Sequence, residues 1–148
     1  MRVLLDTNIL LRLLNPNDAE YALVRSAIDA LAARGNQLCF VPQNLVEFWN
    51  VCTRPAGKNG FGLSAAEAGE RAKVIESKFL LLADIGRVHA EWRRLAVSYS
   101  VVGVQVHDAR IAAAMLAHGV THLLTLNDAD FARYPFISVI HPRDATRD

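Results

Sequence analysis

Carboxylates recur at positions from which they could meet: Asp6 in VLLDTN, Glu47 in NLVEFWNV, Asp108 in VHDARIAA, and Asp128 and Asp130 in LLTLNDADF. Several carboxylates at one place repel and raise one another's pKa unless a cation neutralises them. Oxygen ligands suit a hard divalent ion such as Mg²⁺ or Mn²⁺, and an ion in such a site activates water and stabilises in-line displacement at a phosphodiester. Taken singly, Asp6, Asp108 and Asp128 read as helix N-caps, the commoner role for Asp. Glu47 differs, because Leu45, Val46, Phe48 and Trp49 flank it and an unpaired carboxylate among them is costly.

Thr7 and Asn8 follow Asp6 directly and can hydrogen-bond a carboxylate, a metal-bound water or a phosphate oxygen, or simply satisfy the first helical turn. Arg12, Arg54, Lys58 and Arg110 are the candidate phosphate contacts; Arg110, two residues beyond Asp108, is the best placed. Each of these cations alone also reads as a solvated surface charge. The five histidines are scattered, and the Ser and Cys residues lack an evident base and orienting acid, so nucleophilic catalysis finds no support.

These acids need a scaffold, and short apolar runs provide one: RVLL, QLCFV, SVVGV near Val102, HLLTL and FISVI. Continuous rather than alternating hydrophobicity at strand length predicts strands buried on both faces of a parallel sheet. Between them, Tyr21, Val24, Ile28 and Leu31 fall at helical spacing, as do Ala65, Ala68, Ala72, Ile75 and Phe79, and then Val88, Trp92, Leu95 and Tyr99. SAAE, from Ser64 to Glu67, has capping-box spacing, and RPAGKNGFG is the clearest loop. The alternation predicts an α/β fold, a three-layer α/β/α sandwich with a central parallel sheet, carrying a helical hairpin around 64–100. In such sheets ligands bind beyond the carboxyl ends of the strands, where most of these acids fall.

The chain of 148 residues, with 52% hydrophobic and 21% charged residues, is expected to form a single domain over 1–148. A formal net charge of +1 supplies no general attraction for nucleic acid, so a polyanion must meet local basic groups or a bound cation. Cys39 and Cys52 have no metal-ligand spacing and read as buried thiols. No apolar stretch is long enough for a membrane span or a signal-peptide core, and a cytoplasmic protein is expected.

At its acid blocks the chain resembles the PIN-domain family, most closely its VapC ribonuclease toxins. LLDTNILLRLL is similar to the family's first strand and acid, VPQNLVEFWNVCTRP to the second acidic block, VHDARIAA to the third and LLTLNDADF to the fourth. Where many relatives carry their fourth acid, two residues after the Thr, this chain has Asn127, with Asp128 beside it and Asp130 before Phe131. Asn127 and Asp130 therefore rank as the candidates to complete the site. The resemblance implies a Mg²⁺- or Mn²⁺-dependent endoribonuclease acting on tRNA or rRNA, in which Asp6, Glu47 and Asp108 hold the metal. It further implies a homodimer inhibited by a small cognate antitoxin.

Two other classes remain at this point. One is a catalytically degenerate PIN-like module that binds RNA or protein without cutting. The other is a phosphoryl-transfer domain, disfavoured because Asn8 stands where an Asp-x-Asp nucleophile motif has its second acid and no Lys follows a strand.

Overall fold

A computed structural model describes residues 1–147. Five strands form one all-parallel sheet: β1 (Arg2–Leu5), β2 (Gln37–Phe40), β3 (Leu80–Leu81), β4 (His122–Leu124) and β5 (Ser138–Ile140), in the order β3-β2-β1-β4-β5. The helices are α1 (Thr7–Leu13), α2 (Tyr21–Ala33), α3 (Pro42–Thr53), α4 (Ala65–Lys78), α5 (Gly86–Ser98), α6 (Gln105–His118) and α7 (Pro142–Ala145).

The period of two along each strand divides the core between the two faces of the sheet. Val3, Leu5, Leu38, Phe40 and Leu124 pack into one layer with Ile9, Val24, Ile28, Phe48 and Ile75, from α1 to α4. Leu4, Cys39 and Leu123 point the other way and meet Val88 and Leu95 of α5 and the Ala109 to Met115 stretch of α6. This is the three-layer α/β/α sandwich, and it explains why the strands read as unbroken apolar runs. Cys39 and Cys52 are buried free thiols, and no helix among the described residues is long and apolar enough to cross a membrane.

Two sequence expectations are corrected. The expected helical hairpin around 64–100 is interrupted by β3, and its two helices lie on opposite faces of the sheet, α4 in one layer and α5 in the other. The expected strand SVVGV is a turn, in which Gly103 has φ +57 and Val102 and Val104 are 68% and 82% exposed. A left-handed Gly breaks an extended run, and side chains open to water have no sheet to cover.

Local signals elsewhere are realised. The Ser64 hydroxyl accepts from the Glu67 amide at 3.1 Å and starts α4. Gly60 closes the loop after α3, because a Cβ there would run into the carbonyl of Arg54.

Candidate active site

The strand order reverses direction between β1 and β4, so their carboxyl ends open the crevice where parallel sheets bind ligands. Asp6 stands at that point. Its amide donates to the Leu124 carbonyl at 3.0 Å, and its Oδ1 accepts from the Thr7 amide at 2.8 Å as the N-cap of α1. The capping role and the site role thus coincide in one carboxylate. Its Oδ2 accepts from the Thr125 hydroxyl at 2.7 Å and from Asn8 Nδ2 at 3.2 Å.

A second set of bonds fixes Glu47. Pro42 opens α3, and Asn44 Oδ1 accepts from the Val41 amide at 2.9 Å, which anchors the first turn of α3. Asn44 Nδ2 donates to Thr7 Oγ1 at 3.1 Å, and Thr7 Oγ1 donates to Glu47 Oε2 at 3.1 Å. Gln43 Nε2 holds the other oxygen, Glu47 Oε1, at 2.7 Å, and also donates to the His107 carbonyl at 2.8 Å. One glutamine amide therefore ties α3 to the first turn of α6, which carries Asp108.

Electrostatics shows which acids share the site. Burial pushes the Asp108 carboxyl up to about 6, and Asp130, Asp6 and Glu47 add to the rise. Asp6 is raised as well, first by burial and then by Glu47 and Asp130, against the hydrogen bonds of Thr125 and Thr7. Asp6, Glu47, Asp108 and Asp130 thus belong to one field. Asp128 is exposed and perturbs neither Asp6 nor Asp108. Asn127 joins the network through its backbone: its amide donates to Thr125 Oγ1 at 3.0 Å, and its carbonyl accepts from the Asp130 amide at 3.1 Å.

The expected cations behave differently. Arg12 turns to Asp18 at 3.8 Å, and Arg54 Nη2 donates to the Asn59 carbonyl at 2.9 Å within its own loop, which also contains Lys58. Arg110 reaches the edge of the site, with Nη1 on Gln43 Oε1 and Nη2 on Asp84 Oδ1, each at 3.4 Å. Asn8 is placed as its position suggests, bonding Asp6 and Thr125 and accepting from the Leu126 amide at 3.2 Å.

Sequence reasoning missed Thr125, Gln43 and Asn44 as parts of the site. None of the three left a signal of its own, because each acts through a partner far along the chain. A cleft of about 460 Å³ beside Glu47 is bordered by Thr7, Gln43, Val46, Asn50 and His107. A larger cavity, about 540 Å³ between α2 and the start of β2, contains none of these acids.

Among the described residues no group of three or more acid, His or Cys side chains is placed to hold a metal ion as the side chains stand. The chemistry of the donors nevertheless fits a hard divalent cation. They are carboxylates, and the Asp6 and Asp108 carboxyls are raised first by burial and then by neighbouring acids, the part that a positive charge would reverse. Mg²⁺ sheds water reluctantly and is bound by one or two carboxylates plus substrate phosphate, so an open half-shell suffices.

Comparison with known proteins agrees with the fold. The family model described as PIN domain matches residues 3–137. No curated protein is matched by the sequence. Among solved structures, VapBC2 from Rickettsia felis, bound to a DNA fragment from its promoter, has a TM-score of 0.73 at 17% identity, covering 95% of this chain and 98% of that one. A toxin-antitoxin complex from Klebsiella pneumoniae has a TM-score of 0.64 at 24% identity, covering 95% and 97%. The Sarcin-Ricin loop cleaving toxin VapC20 from Mycobacterium tuberculosis has a TM-score of 0.60 at 16% identity, covering 82% and 86%.

Proposed function

Since this chain belongs to the PIN domain family, we propose that it is a metal-dependent endoribonuclease that hydrolyses RNA phosphodiester bonds as the toxin of a toxin-antitoxin pair. The observation that carries the reading is the chain of hydrogen bonds that joins Asp6 through Thr7 to Glu47, and Glu47 through Gln43 to the turn of Asp108, at the strand-order reversal of a parallel sheet, with Asp130 adding to the charge there.

Asp6, Glu47 and Asp108 are the residues that would hold Mg²⁺ or Mn²⁺, with Asp130 rather than the Asn127 side chain completing the set. Such an ion supplies an activated water and charge neutralisation at the attacked phosphate. The protein supplies position. Thr125 and Asn8 fix Oδ2 of Asp6, while Thr7 and Gln43 each fix one oxygen of Glu47, so neither carboxylate must reorient during turnover. Asp108 is half-buried among three other acids and gains most from a cation. The cleft beside Glu47 offers room for the RNA strand.

The substrate class, tRNA or rRNA, is supported by the fold likeness to a toxin described as cleaving the Sarcin-Ricin loop. A small antitoxin as partner is supported by likeness to chains solved as toxin-antitoxin complexes. A homodimer follows from the family resemblance, and sedimentation at micromolar concentration tests it. The nuclease reading is tested by exposing a mixture of tRNA and rRNA to the purified protein with Mg²⁺ or Mn²⁺, with chelator, and with Asp6→Asn in parallel. Cuts that require metal and disappear in the variant support it. A folded, metal-binding protein that makes no cuts selects a module that binds without cleaving.

A further inference from the structure

An acid-rich site repels the polyanion it is meant to receive, and a bound ion offsets that only at the attacked phosphate. Neighbouring phosphates need a protein cation close to the acids. Arg110 is already committed to Asp84 and Gln43, and Arg12 to Asp18.

Beside Asp108 lies a recess of about 110 Å³, lined by Gln105, Asp108, Ala129, Asp130, Arg133 and Tyr134. It is polar, narrow and directly joined to two of the four acids. Its guanidinium comes from Arg133, three residues beyond Asp130, so one short turn (Asp128–Phe131) and its extension place a carboxylate and a cation on the same recess. The guanidinium is held by neutral groups: Nη1 donates to the Tyr99 carbonyl at 3.4 Å, Nη2 to Gln105 Oε1 at 3.2 Å, and the Tyr134 hydroxyl is a further partner. Among the described residues no carboxylate lies within ion-pair distance of it, and the side chain is exposed.

The wall behind it is rigid. Tyr134 is 2% exposed and packs edge-on against Tyr99, ring centres 5.1 Å apart, with Phe136 at 5.7 Å on its other side. A planar fork on a fixed wall, with long bonds to neutral oxygens that a phosphate can replace, is the arrangement that favours phosphate over water.

We propose that Arg133 is a substrate-binding residue that holds an RNA backbone phosphate next to the one attacked, at the mouth of the recess it shares with Asp108 and Asp130. The assignment rests on the ribonuclease reading above and specifies how that site tolerates its substrate.

The test measures binding of a fluorescent, mixed-sequence, single-stranded RNA oligonucleotide, with Ca²⁺, over a series of KCl concentrations. Wild type, Arg133→Ala, Arg133→Lys and Gln105→Ala are compared, and the wild type is assayed in parallel for cleavage of pooled tRNA with Mn²⁺. Losing one phosphate contact lowers the slope of log K against log salt by about 0.7 for a single strand. Arg133→Ala should show that drop with several-fold weaker binding at low salt. Arg133→Lys should recover the slope, and Gln105→Ala, which removes a hydrogen bond but no charge, should leave it unchanged. An unaltered slope and affinity in Arg133→Ala overturns the assignment while pooled-tRNA cleavage leaves the nuclease reading standing. A wild type that binds RNA without cutting it defeats the nuclease reading, and the slope change then still assigns the contact. A wild type with no RNA affinity overturns both.

Discussion

Thr125 donates its hydroxyl to Oδ2 of Asp6 at 2.7 Å, from the carboxyl end of β4 to that of β1, and both residues are buried. The Thr125 hydroxyl oxygen in turn accepts from the Asn127 amide at 3.0 Å and from Asn8 Nδ2 at 3.2 Å. Replacing Thr125 by Val keeps the shape and removes every one of these bonds. A hydrogen bond to a charged group contributes about 1.5–3 kcal/mol, so Thr125→Val should lower the thermal midpoint by several degrees. It should also weaken Mn²⁺ binding, because Asp6 is then held by Asn8 and Thr7 alone. An unchanged melt and an unchanged Mn²⁺ titration would show that this hydroxyl does not organise the site.

Asp6→Asn separates function from fold. Asn caps helices about as well as Asp, and the raised pKa of Asp6 shows that its charge is disfavoured where it stands. With chelator present at neutral pH, the variant should stay folded and melt within a few degrees of wild type, because relief of the buried charge offsets the acceptor that its Nδ2 no longer offers Thr125 and Asn8. Its RNA cleavage should fall by more than the roughly 10–100-fold that losing an outer-sphere partner costs. Comparable cleavage by a folded variant would remove Asp6 from the centre.

Acid crowding gives the metal-free protein a definite pH dependence. Asp108 is held up to about 6 against 3.8, so between those values the folded protein keeps a proton that the unfolded chain has released. The stability this group contributes is present below pH 3.8 and is lost as pH rises through 6; Asp6 is shifted in the same direction. Melting in chelator across this window should show Asp108→Asn losing less stability than wild type as pH rises. Added Mn²⁺ should raise the wild-type midpoint more at pH 7.5 than at pH 5. Parallel curves for the two proteins would contradict the crowding.

Gln43 gives a prediction about position. Gln43→Ala frees Oε1 of Glu47 and unlinks α3 from the His107 carbonyl. Mn²⁺ affinity should drop within the roughly 10–100-fold range of outer-sphere partners. Gln43→Met, which keeps the length of the side chain but returns neither donor, should bind no better. Full affinity in both variants would make Gln43 a surface residue with no part in the site.

The sequence was readable where physics is local. Four strands and the main helices follow from runs and spacings, because burial on both faces leaves an unbroken apolar run and a helix buries one stripe. SVVGV misled because β-branched residues carry strand propensity wherever they stand, while their exposure depends on the turn at Gly103. Leu80–Leu81 was hidden because two strand residues at the end of a helix look like its last turn. The acids were legible by type and by their place after strands, except that Asp108 follows a turn. Thr125, Gln43 and Arg133 were not, because their meaning lies in partners 119, 64 and 28 residues away.

The shortness of β3 has a consequence for solubility. A sheet has two borders, and the bare amides and carbonyls of a long, flat border strand recruit strands from other molecules. Here one border is the two residues of β3 and the other the three residues of β5. Neither is long enough to template a neighbouring chain, although Leu81 is 47% exposed. Edge-to-edge polymerisation is therefore disfavoured at both borders of the sheet.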